Sequence, residues 1–348
     1  MACRPTGSWV NRRLVVREPL RGTTAITRAW FAFAVAGLAA SAAGCDSARP
    51  VFQEPIAVAT ATPAVTGPVK APTHGAWFGA WVKPDSYSQP GRYDAITRFE
   101  EQLGRPLDIV NTYRRLHEDI ATESDLAFLR DGKTLMISWA GSSSVDILSG
   151  AIDDEIRRHA RQVKSLRQPV LLRLRWEMDR PNLAASVGSP ESYQESWRYV
   201  RRIFAEEKAR NVSWVFCPTA EGFASGHAAA FYPGDDQVDW TCVDVYAGSD
   251  LVPMKELLEP YLRWGAQRPR PMMVGEYGVS RAWPSSQRAA WLTAAADVFR
   301  ANPQIKAVLY FESDPEDRTE HGVFSVSDDP EVLEAFRDTA RDPWFHAR

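Results

Sequence analysis

From residue 76 to the C-terminus, short runs in which nearly every position is apolar alternate with longer stretches whose apolar positions recur every three or four residues. The short runs lack the polar–apolar alternation of a sheet with one wet face. A strand covered on both faces, as in a parallel sheet, reads this way. They predict eight strands, at 76–82, 107–111, 134–139, 170–177, 212–218, 239–246, 271–277 and 305–311. The longer stretches predict helices, clearest over 93–103, 152–166, 190–210, 286–300 and 330–340. Ser189-Pro190 and Asp329-Pro330 each set a capping side chain before a proline at the first helical position. Regular alternation of strand and helix defines an α/β class, and eight such units in one domain predict a single (β/α)8 TIM barrel. A doubly wound sheet would call for a glycine-rich phosphate turn after the first strand, and Phe78-Gly79-Ala80-Trp81 is not one.

The N-terminal 44 residues follow another pattern. Six arginines against the single acid Glu18 precede an apolar stretch from Ala29 to Ala43, closing on Ala42-Ala43-Gly44-Cys45. A basic region, a short apolar core and small residues at the cut describe an export signal, too short to span a membrane comfortably. Gly44-Cys45 resembles the bacterial lipoprotein signal, so Cys45 is the expected lipidation site and the protein is expected to be an exported, membrane-anchored surface lipoprotein, with simple secretion as the alternative. Residues 45–73, rich in Pro, Ala and Thr without helical period, read as a disordered tether, leaving 74–348 as the catalytic domain.

The leader takes six arginines and one glutamate from totals of 41 basic and 44 acidic residues, leaving 35 against 43 and a formal charge of −8. That balance argues against a nucleic-acid partner. Cys217 and Cys242 fall on predicted neighbouring strands, where buried cysteines are expected as two free thiols. His74, His117, His227 and His321 show no ligand spacing, and no metal or cofactor is expected. Asp314-Pro315-Glu316-Asp317 reads as a solvated turn, and Asp153-Asp154-Glu155 as acids at a helix start.

Two carboxylates stand out against this frame. Glu177 closes the fourth apolar run and Glu276 the seventh, so both would emerge at the C-terminal mouth of the barrel, where such folds keep their chemistry. Facing acids there are the equipment of glycoside hydrolysis. Thirteen tryptophans are available for sugar stacking. Trp77, Trp81, Tyr113, Trp139, Trp176, Trp214, Tyr246 and Phe311 lie near predicted strand ends. Of these, Tyr113, Trp139, Trp176 and Tyr246 are expected in the cleft and Phe311 at its floor, the others packing the barrel or its helix layer.

Three linked stretches carry a family resemblance: Arg173-Leu174-Arg175-Trp176-Glu177-Met178-Asp179, the run from Phe231 to Trp240 leading to Asp244-Val245-Tyr246, and Val274-Gly275-Glu276-Tyr277-Gly278. In them the chain resembles glycoside hydrolase family 26, retaining barrel enzymes that include β-mannanases, with relatives acting on mixed-linkage β-glucan and 1,3-linked xylan. The resemblance implies Glu177 as general acid/base and Glu276 as nucleophile. It also implies Arg173, Asp179, Asp244 and Tyr246 among the residues that bind substrate or hold the site. Where family mannanases carry His-Glu-Met-Asn, this chain has Trp176-Glu177-Met178-Asp179, and residues 180–186 lack the aromatic cluster of many mannan binders. The expectation is a monomeric endo-β-glycosidase acting on an extracellular or envelope polysaccharide, β-mannan first, with β-glucan or xylan as alternatives. A noncatalytic glycan-binding lipoprotein on a degenerate barrel is the second reading.

Overall fold

The computed structural model describes residues 67–313 and 320–347. The export signal, Cys45, most of the proposed tether and the run Asp314–Asp317 lie outside the described residues. Eight strands follow one another: β1 (Trp77–Val82), β2 (Ile109–Arg114), β3 (Thr134–Trp139), β4 (Val170–Leu174), β5 (Val212–Phe216), β6 (Trp240–Ala247), β7 (Met272–Val279) and β8 (Ile305–Glu312). Each pairs in parallel with the next, and β8 returns to β1, closing the barrel.

The continuous apolar runs are explained by two separate layers. Inside the barrel, Ile109, Met136, Leu171, Val215, Trp240, Met273, Ala307 and Leu309 pack with Cys217 and Cys242. Their strand neighbours, such as Val110, Ile137, Leu172 and Phe216, face outward onto the helices. Helices Gln89–Leu103, Asp153–Ser165, Pro190–Glu206, Ser285–Ala301 and Pro330–Arg341 match the expected ones. The Ser189 hydroxyl accepts from the Ser192 N–H, and the Asp329 carboxylate accepts from Glu331 and Val332, so both predicted caps start their helices. Helices Glu123–Arg130 and Met254–Gly265 were not expected. Pro260 lies inside the second, which buries Met254, Leu258 and Tyr261 regardless.

Three expectations are corrected. Cys217 and Cys242 form a disulfide rather than two free thiols, because both side chains point into the barrel from adjacent β5 and β6, with Cα atoms 4.3 Å apart. Trp139 is wholly buried outside the barrel against His159, their rings 4.7 Å apart, because Ser138 takes the inward position at that end of β3. The packed chain also begins ahead of residue 74: the Val69 N–H donates to Ser213 Oγ (2.6 Å), and Val69 and Ala71 rest on the barrel interior.

Candidate active site

The chain leaves the sheet at Leu174, three residues before Glu177 and earlier than the expected strand end. Arg175 (φ 48°) and Glu177 (φ 55°) both adopt the left-handed backbone region that side chains beyond glycine rarely occupy. The Glu177 N–H donates to the Cys217 carbonyl (2.7 Å), which fixes this turn against the end of β5. The turn brings Trp176 and Glu177 to the wall of a cleft of about 850 Å³ at the C-terminal ends of the strands. Arg180, one helical turn on, donates from Nη2 to Glu177 Oε1 (2.6 Å).

Glu276 enters from the middle of β7 and is 5% exposed. Tyr113 from β2 donates its hydroxyl to Oε1, Tyr246 from β6 donates to Oε2, and Arg173 donates from Nη2 to Oε1. The Arg173 guanidinium is used on every side. Its Nε donates to Ser138 Oγ (2.7 Å), and Nη1 donates to both Asp244 oxygens (2.8 and 2.9 Å). Ser138 in turn donates to Asn111 Oδ1 (2.7 Å). Residues from β2, β3, β4 and β6 thus hold one carboxylate carried by β7. One oxygen from each of Glu177, Asp244 and Glu276 lies within 4.8 Å of the other two, with Arg173 supplying the balancing positive charge.

The two glutamates occupy different electrostatic settings. Burial, and then repulsion from Glu276, push the Glu177 carboxyl up to about 7, with Arg180 and Arg173 opposing. Burial followed by the Glu276 charge holds Tyr113 and Tyr246 well above the usual phenol range, so both remain O–H donors. An acid poised near neutrality beside a carboxylate held by three donors can protonate a leaving oxygen while its partner attacks carbon.

Tyr113, Trp176, Tyr246 and Phe311 line the cleft as expected from the sequence. Phe311 stacks on Trp81, 4.7 Å between centroids, and meets Tyr113 and Tyr246 edge-on. Arg173 and Asp244 are 0% and 1% exposed, so they lie beneath the cleft and hold its floor rather than touch sugar. Asp179 does not line the cleft either. It accepts from the Thr219 hydroxyl (2.5 Å) and N–H, tying the loop after β4 to the loop after β5. Trp81, expected to pack the barrel or its helix layer, lines the cleft instead, and sequence reasoning passed over Arg92, Arg180 and Phe324, which also line it. Arg180, three residues after Glu177, had a readable signal; Phe324 follows β8 in a loop with no periodic pattern.

The chain is similar to known proteins in sequence and in fold. Endoglucanase H of Acetivibrio thermocellus is 28% identical over 290 residues, covering 76% of this chain and 30% of that protein. Beta-1,3-xylanase TXYA of a Vibrio species is 27% identical over 205 residues, covering 54% of this chain and 43% of that protein. The chain therefore spans less than half the length of either relative. A GH26 beta-mannanase from Bacteroides ovatus superposes with a TM-score of 0.59 at 17% identity, over 78% of this chain and 90% of that one. The GH26 endo-beta-1,4-mannanase catalytic domain of Bacillus sp. JAMB-750 gives 0.60 at 14%, over 78% and 86%. Both likenesses are of fold. Residues 131–261, which include Arg173, Glu177, Asp244 and Tyr246, match the family model of glycosyl hydrolase family 26.

Proposed function

We propose that this protein hydrolyses a β-linked polysaccharide with retention of configuration, Glu276 attacking the anomeric carbon and Glu177 protonating the departing oxygen. The observation that carries this reading is the pair of carboxylates, with oxygens within 4.8 Å, at the floor of an aromatic cleft. Retaining glycosidases keep their two carboxyl groups about 5–5.5 Å apart, whereas an inverting pair needs room for a water between them. In the second half of the reaction Glu177, then a carboxylate, takes a proton from the water that releases the glycosyl ester on Glu276.

The relatives' names span glucan, 1,3-xylan and mannan, which supports a β-glycan substrate and leaves the sugar to experiment. β-Mannan is our first choice, with β-glucan or xylan next. Reducing-sugar release from a panel of mannan, mixed-linkage glucan, cellulose and 1,3-xylan tests it. NMR of the first-formed product is expected to show the β anomer. Inverted product would refute the double displacement, and binding without cleavage of any member would favour a noncatalytic glycan receptor.

A further inference from the structure

Strands β5 and β6 pair over two residues, Val215 with Trp240 and Phe216 with Thr241, as few as between β1 and β2, and meet again in a single bridge from Thr219 to Asp244, against six pairs between β2 and β3 and seven between β6 and β7. This thin seam lies under the site. The next residue on each side is a cysteine, and the Cys217–Cys242 disulfide closes the seam with both residues fully buried.

The link touches the supports of both glutamates. Cys217 offers its carbonyl to the Glu177 N–H, at 2.7 Å. Its Sγ lies 3.2 Å from Asp244 Oδ1 and 3.7 Å from Arg173 Nη1, the pair that holds Glu276. Cys242 stands two residues before Asp244 and four before Tyr246 on β6, and its Sγ occupies the space a Cβ on Gly275, beside Glu276, would need. Among the described residues no second disulfide occurs, and neither cysteine is otherwise used by the proposed mechanism.

We propose that the Cys217–Cys242 disulfide is a positioning device, fixing the separation of Glu177 and Glu276 by locking the β5–β6 seam, so that turnover rather than substrate affinity depends on it. The proposal rests on the hydrolase reading above. A displacement of about 1 Å in a preorganised site costs on the order of 100-fold in rate, and a seam held by two paired residues before the link and one bridge beyond it leaves room for such a shift once the link is open. Glu177 would then turn toward solvent. It is faced by Glu276 from β7, Arg173 from β4, Asp244 and Tyr246 from β6, and Arg180 from its own loop. A looser, wetter Glu177 titrates at lower pH.

The test compares one full-length chain in two states. Protein folded under reducing conditions carries Cys217 and Cys242 as thiols; refolding with oxidised glutathione joins their two sulfurs and releases two molecules of reduced glutathione. Peptide mapping by mass spectrometry gives the linked fraction. Turnover of the polysaccharide is expected to rise ~10- to 100-fold as that fraction goes to one, with KM unchanged within about twofold. The alkaline limb of kcat/KM should move to lower pH in the unlinked state. A Cys217→Ala/Cys242→Ala variant should reproduce the unlinked behaviour while unfolding cooperatively. If that variant does not fold, the two states of the natural chain decide alone. Turnover independent of the linked fraction, or a change confined to KM, would overturn the proposal, as would fully active protein in which both cysteines map as thiols. Absence of cleavage by fully linked protein would count against the hydrolase reading instead. The positioning role would then be decided by 13C NMR titration of Glu177, where identical curves for the two states refute it.

Discussion

At the scale of single residues, the site is two carboxylates whose surroundings assign them different work. Loss of Glu177 should hurt a poor leaving group most, because an activated aryl glycoside departs with little need for a proton. Glu177→Ala is therefore expected to lose ~100-fold or more on polysaccharide yet still give an initial burst of aryl release followed by slow turnover, which azide accelerates. Glu276→Ala should lose both activities, since no glycosyl ester can form. Azide rescue confined to Glu276→Ala would mean that the roles are exchanged. The pH dependence follows from the same burial. Glu177 must be protonated to act as the acid, so kcat/KM should fall as pH rises through about 7. Stability carries the opposite face of this shift. Below the unfolded value of 4.5 the carboxyl is protonated in both states and has no effect. Between 4.5 and about 7 the unfolded chain gives up a proton that the folded chain keeps, so stability declines with rising pH, by ~3 kcal/mol in all. Glu177→Gln removes that loss. Its melting temperature should exceed the natural protein's at pH 8 and equal it at pH 4; an offset independent of pH would show that Glu177 is not the strained group.

At the scale of elements, barrel register explains what a linear pattern could and could not convey. Tyr113, Ser138 and Arg173 are aligned on β2, β3 and β4 and all point inward, whereas Arg114, Trp139 and Leu174, one residue later, are aligned in the outward layer. A one-residue change in phase therefore decides whether an aromatic stacks sugar or packs a helix. The apolar runs made every strand legible but hid that phase, because both faces are covered, and Trp139 was misplaced for this reason. Both glutamates were legible because acids at the ends of apolar runs have no packing use. Arg180 and the disulfide depend on how loops and neighbouring strands meet, which spacing alone does not fix. Gly275 shows how tight the meeting is: a Cβ there would come within 2.4 Å of Cys242 Sγ and 3.0 Å of Asp244 Oδ1. Gly275→Ala should accordingly destabilise the protein by ~1–3 kcal/mol and lower kcat by tenfold or more. Chemical denaturation and steady-state kinetics check this, and an Ala variant with natural stability and turnover would show that β6 and β7 can part without cost.

At the scale of the whole catalytic unit, the barrel has two mouths with different fates. The one at the C-terminal strand ends opens as the cleft, while the other is closed by the first and last described segments. Trp77 stacks on Trp240, 5.7 Å between centroids, and Trp240 Nε1 donates to the Val69 carbonyl (3.4 Å). Trp77 also bridges to His346, and the Ala76 N–H donates to Trp344 O (3.1 Å), so the first and last described segments meet at the base. The segment ahead of β1 is thus part of the core rather than a spacer, since it covers interior apolar surface and satisfies Ser213 and Trp240. A chain starting at Ala76 should be less stable than one starting at Gly67 by ~2–4 kcal/mol, from the exposed interior and the lost hydrogen bonds. Its melting temperature should fall by several degrees. Turnover at 25 °C should not change, because the lost contacts lie at the mouth opposite Glu177 and Glu276. Val69→Asp in the longer chain should lower the melting temperature too, by setting a carboxylate against the barrel interior. Equal melting temperatures for the two chains would show that the base is closed by Trp77 and the C-terminal residues alone.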